Sequence, residues 1–107
     1  MKENIPSQEE KIIVSVDSDL EDLIPDFLEN RRTDIKSMRR ALSEGDFDKI
    51  RITGHSMKGS GGGYGFDEIT EIGKYLEDAA NERNAEEIIR RVDELVSYLD
   101  RVEVVYE

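Results

Sequence analysis

From Leu20 to Val102 the apolar residues of this chain return every three or four positions, a period that admits one regular structure, the amphipathic helix. Leu20, Leu23, Ile24, Phe27, Leu28, Ile35, Met38 and Leu42 make the first stripe. Pro25 suits a first turn, where its missing N–H costs nothing, so the stripe predicts a short helix over about 18–24 and a long one to about 43. Ser43-Glu44-Gly45 closes that helix, and Asp46 is placed to cap the next, whose inward positions Phe47, Ile50, Gly54, Met57 and Gly61 keep the rhythm. Gly65 supplies a left-handed stop. A third helix follows on Phe66, Ile69, Ile72, Leu76, Ala79 and Ala80, with Gly73 leaving room for a close neighbour. Asn84 and Glu87 stand in a capping-box relation, and Ile88, Val92, Leu95, Leu99 and Val102 form the last seam.

No second region beyond the lead-in alternates with the period of a sheet, so the expected fold class is all-α. Short connections imply an antiparallel up-and-down four-helix bundle over residues 17–107, capped at one end by the short N-terminal helix. Residues 1–16 form a lead-in. Its Ile12, Ile13, Val14 and Val16 suit equally an extended strap on the bundle or a partly disordered segment.

A chain of 107 residues buries one core and makes one domain. It has no cysteine for disulfide or thiolate chemistry, no apolar run near the roughly 20 residues that cross a bilayer, and no basic start and apolar stretch of a secretory signal. A cytoplasmic protein without membrane contact is expected, and Met1 with a finish soon after the last helix suggests a free-standing one. A net charge of -11 opposes binding to nucleic acid, which rests on Lys and Arg neutralising phosphates. Residues 31–58 nevertheless carry eight basic and four acidic side chains between strongly acidic flanks. Either these are solvated helix faces of mixed sign or they form a positive patch that attracts a phosphoryl group or an acidic partner.

The patch ends at the only histidine, in the run HSMKGSGGGYG from His55 to Gly65. Imidazole is the side chain whose neutral, nucleophilic form is well populated at pH 7 without special tuning. On a helix His55 falls beside inward Gly54, at the flank of the buried stripe, and should be at least partly exposed. Arg51 and Ile52 lie one turn before it, Lys58 and Gly59 one turn after, and Gly62 two turns after. Helical side chains lean toward the N-terminus, so the Lys58 ammonium is expected near the imidazole. Gly59, Gly61, Gly62 and Gly63 inside a helix would together cost roughly 2 to 4 kcal/mol relative to alanine. Gly54 and Gly61 can be explained by close helix packing, whereas outward Gly59 and Gly62 suggest room for another protein beside His55.

Other chemistries fit poorly. A phosphate-binding loop needs Gly-Lys-Ser/Thr at its far end after a strand, and here Lys58 comes first. A metal shell would have to be built on one histidine, with Asp46 and Asp48 about two turns away, and no nucleophile elbow surrounds Ser56 or Ser60.

His55, Lys58, Gly59, Ser60 and Gly65 together resemble the signature of histidine-containing phosphotransfer (HPt) domains. The Glu44-Gly45-Asp46 turn, the Tyr75-Leu76-Glu77 stretch and the final amphipathic helix extend the resemblance over about residues 17–103. The triple glycine 61–63 departs from the family's small residues of higher helix propensity and leaves the last turn of that helix open. The resemblance implies a phosphorelay intermediate in a two-component system, a phosphocarrier with no independent catalytic activity. His55 would take a phosphoryl group from a receiver-domain aspartate, or from a histidine kinase, and pass it to another receiver. Lys58 would offset phosphoryl charge, Arg51 would assist, and Gly59 with Gly62 would admit the receiver. No cofactor is expected on this chain, Mg2+ is expected on the receiver, and a monomer is expected. The competing reading is a helical adaptor that docks receivers or other signalling proteins without transfer.

Overall fold

The computed structural model describes residues 10–107. Among these the chain forms four α-helices, α1 (Ile24–Ser43), α2 (Phe47–Ser60), α3 (Asp67–Asn81) and α4 (Ala85–Arg101). α1 packs on α2 and α4, and α3 packs on the same two, so the helices close a ring around one core. Met38, Ile50, Met57, Phe66, Ile69, Ile72, Leu76, Ile88 and Leu95 are fully buried there.

Local chemistry sets the helix ends. Pro25 occupies the first turn of α1, and Gly45, at φ 71°, turns the chain out of its C-terminus. The Asp46 carboxylate accepts the Lys49 N–H at 3.1 Å and satisfies one of the orphan donors of α2. Gly65, at φ 96°, makes the left-handed turn before α3. Asn84 accepts the Glu87 N–H at 3.1 Å. The return half of that capping box is missing, because the Glu87 carboxylate binds Arg91 at 2.7 Å instead.

Three expectations need correction. The short N-terminal helix shrinks to a 3-10 turn, Ser18–Leu20, capped by Asp17, and the α-helix starts only at Ile24, where Pro25 can be accommodated. The fold is mostly helical but not wholly so: β1 (Ile12–Val16) and β2 (Val102–Tyr106) pair in parallel, with Ile12 opposite Val102 and Val16 opposite Tyr106. Val102, the next position of the α4 seam, therefore leaves the helix and opens the strand. The pairing continues past the strands, with the Glu107 N–H donating to the Val16 carbonyl at 3.1 Å and the Ser18 N–H to the Glu107 carbonyl at 2.9 Å. Val16 is buried, and Ile12, Val14, Val102, Val104 and Tyr106 pack half-buried on the core. Residues 12–16 of the lead-in are the strand β1, while residues 1–9 lie outside the described part. No helix among the described residues is long and apolar enough to cross a membrane.

Candidate functional site

The site is built on a close backbone approach, where α2 crosses α3 at Gly54 and Gly73. A Cβ on Gly73 would lie 2.6 Å from the Lys58 nitrogen and 2.7 Å from the Gly54 oxygen. One on Gly54 would lie 2.8 Å from the Glu77 nitrogen. Only two glycines let the backbones touch in this way. The crossing fixes what lies one turn further on, because Lys58 stands four residues after Gly54 and Glu77 four after Gly73.

Glu77 accordingly reaches across to α2 with both carboxylate oxygens. Oε2 is 3.0 Å from Nδ1 of His55, and Oε1 is 2.9 Å from Nζ of Lys58. The His55 side chain is 66 % exposed against 16 % for Glu77, so a nearly covered carboxylate holds an open imidazole. The hydrogen bond from the Lys58 ammonium keeps the Glu77 carboxyl below its ordinary value of 4.5, against partial burial and with help from His55. Ionised at neutral pH, Glu77 can only accept, so Nδ1 of His55 carries the hydrogen. The lone pair of the neutral ring then sits on Nε2, which has no hydrogen-bond partner among the described residues.

The candidate residues named from sequence divide into two groups. His55 and Lys58 come together, joined through Glu77 rather than directly, because the ammonium finds the carboxylate of the neighbouring helix. Arg51 turns the other way, with Nε and a terminal nitrogen 3.1 and 2.7 Å from Asp48, one turn earlier. Gly59 is exposed, and a Cβ there would meet nothing within 4 Å. Gly62 is also exposed but belongs to the 3-10 turn Gly62–Tyr64 that follows α2. Of Gly59, Gly61, Gly62 and Gly63, only Gly59 lies inside α2, so most of the expected helix cost disappears. Gly61 is explained by packing, since a Cβ there would stand 2.7 Å from the Thr70 nitrogen.

The positive patch is largely cancelled. Arg31, Arg32, Arg39, Arg40 and Arg51 each pair with a carboxylate, which leaves mixed-sign helix faces. Beside His55 the surface instead carries Ile52, which is 54 % exposed. Beyond the site an aromatic group pins the turn after α2: Phe27 of α1 has its ring centroid 4.6 Å from that of Tyr64 and 5.4 Å from that of Phe66. Among the described residues no cluster of His, Cys, Asp and Glu stands ready to hold a metal ion.

Glu77 is the site residue that sequence reasoning did not single out. The signal was the pair of crossing glycines, each followed four residues later by a charged side chain of opposite sign.

Comparisons with curated proteins and with solved structures returned no match. A family model described as Hpt domain matches residues 22–104, which takes in all four helices and the whole His55–Lys58–Glu77 arrangement. With an exposed histidine oriented by a neighbouring helix and the family pattern running through most of its length, this chain belongs to the Hpt domains, the phosphotransfer modules of two-component phosphorelays.

Proposed function

We propose that His55 is the phosphoacceptor of a phosphorelay intermediate, taking its phosphoryl group from a receiver aspartate or a histidine kinase and delivering it to another receiver. The observation that carries this reading is the imidazole itself: exposed, held at Nδ1 by Glu77, and without a partner at Nε2 among the described residues. The Nε2 lone pair attacks phosphorus, the N–P bond forms, and the P–O bond to the donor aspartate breaks, with the carboxylate leaving on the receiver. The ring, still protonated at Nδ1, becomes a phosphoimidazolium whose positive charge faces the Glu77 carboxylate. Reversal on a second receiver returns the neutral ring.

Such a transfer needs alignment and charge stabilisation more than covalent help. Lys58 moves its ammonium from Glu77 toward the phosphoryl oxygens, and Mg2+ belongs to the receiver. Gly59 and Gly62 leave backbone uncovered for the receiver's loops, Ile52 offers an apolar contact, and Arg51, drawn to Asp48, acts at the margin of that interface. The remaining parts of this reading are an antiparallel up-and-down bundle, a domain from residue 17 onward, a monomer and a cytoplasmic location. The test is His55→Gln, incubated with labelled phospho-receiver. Loss of acid-labile, base-stable label with unchanged helicity is expected, and label that persists in the variant overturns the assignment.

A further inference from the structure

Away from His55, the outer edge of β1 faces the first turns of α3 across an open groove of about 490 Å³. Its walls are β1, Gly65 and the acidic residues Asp67, Glu68 and Glu71, with Tyr98 of α4 between them. The Val16 carbonyl accepts from β2, and alternate residues of a parallel strand face the same partner, so Ile13 and Ser15 turn their N–H and C=O groups to the groove side. Among the described residues nothing pairs with those groups, and Ile13 is 58 % exposed.

The opposite wall carries charge without partners, since none of the three carboxylates joins an ion pair among the described residues. Asp67 and Glu68 lie in the first turn of α3, where the helix dipole alone favours them. Glu71 lies a turn further on, and the dipole does not account for it. Nor does it account for Tyr98, whose residue is only 3 % exposed and whose hydroxyl has no hydrogen-bond partner among the described residues. Burial, then Glu68 and Asp67, push that phenol up to about 12, so it remains a donor at neutral pH. An open strand edge invites another strand, and the Tyr98 hydroxyl, at the lining of the groove, has a donor to offer it.

We propose that this groove docks an extended cationic segment of a partner protein. The segment adds to β1 as a third strand, sets Lys or Arg against Asp67, Glu68 and Glu71, and offers a carbonyl to the Tyr98 hydroxyl. Charge selects the occupant: a second copy of this chain, at -11, is repelled from its own acidic wall.

The test is an NMR titration of the isotope-labelled full chain with a short peptide alternating valine and lysine. Amide shifts should gather at Ile13, Ser15 and Gly65 to Glu71 while His55 and Gly59 stay unmoved. N-methylating alternate peptide amides, or combining Glu68→Gln with Glu71→Gln, should weaken binding about tenfold or more, and Tyr98→Phe about threefold or more. Equal affinity for the N-methylated peptide would reduce the effect to bulk charge and overturn strand addition. Equal binding of a valine–glutamate peptide, no binding at all, or the same shifts appearing on concentrating the protein alone would each overturn the proposed occupant.

Discussion

Replacing Gly73 by alanine interrogates the α2/α3 crossing directly. The new methyl would stand 2.6 Å from the Lys58 nitrogen, 2.7 Å from the Gly54 oxygen and 2.7 Å from the Met57 Cβ. None of these is the end of a flexible side chain, so ordinary contact returns only if the helices part by roughly 1 Å. Overpacking of this kind costs about 1–3 kcal/mol, and a wall of main chain argues for the upper end. Alanine's better helix propensity returns about 1 kcal/mol, leaving a net loss of about 2 kcal/mol. At about 4–8 °C per kcal/mol for a domain near this size, the melting temperature should fall by about 8–16 °C, read by circular dichroism at the helix band. Gly59→Ala is the control, because its methyl meets nothing within 4 Å. It should gain about 0.5–1 kcal/mol. If Gly73→Ala proves as stable as the parent, or Gly59→Ala is equally damaging, the backbone contact does not constrain the helices as described.

Glu77→Ala should slow phosphoryl uptake by His55 about tenfold, the worth of one oriented hydrogen bond, while Glu77→Gln, which retains an acceptor, should lose less; both are read from initial rates of label transfer. Because Glu77 titrates lower in the folded chain than its ordinary 4.5, the stability it adds is complete above 4.5 and lost as pH falls through the folded value. Urea midpoints taken downward from pH 4.5 should therefore drop less steeply in Glu77→Gln than in the parent. Tyr98 has the opposite sign: its phenol rises from 10.0 to about 12, so its contribution is full below 10.0 and disappears as pH climbs through about 12. Tyr98→Phe should remove the late-rising part of the alkaline phenolate absorbance.

The helices were legible in the sequence because each is specified locally. Asp46, Gly65 and Asn84 act on backbone within three residues of themselves, and the apolar stripes repeat inside single elements. The strand pair was hidden for the converse reason. Val102 continues the α4 seam as well as it opens an alternating stretch, and nothing within a short window shows that Ile12 meets it from the far end of the chain. Helix geometry alone puts Lys58 near the imidazole, but its bond is made to a carboxylate on another helix. The same geometry puts Arg51 on the His55 face but cannot weigh the stronger local claim of Asp48. The exposed flank of His55 was readable from Gly54. Its orienting partner was not, since that depended on where two helices cross.

The parallel register of β1 and β2 also has a mechanical meaning. Ile12 lies at one end of the ladder and Tyr106 at the other, so tension applied between those two points pulls the strands lengthwise past each other. Every bond of the ladder is then strained at once in shear, rather than opened singly as in unzipping. The clasp should yield abruptly and at higher force than the helices behind it, shielding the His55 crossing from stretch until it breaks.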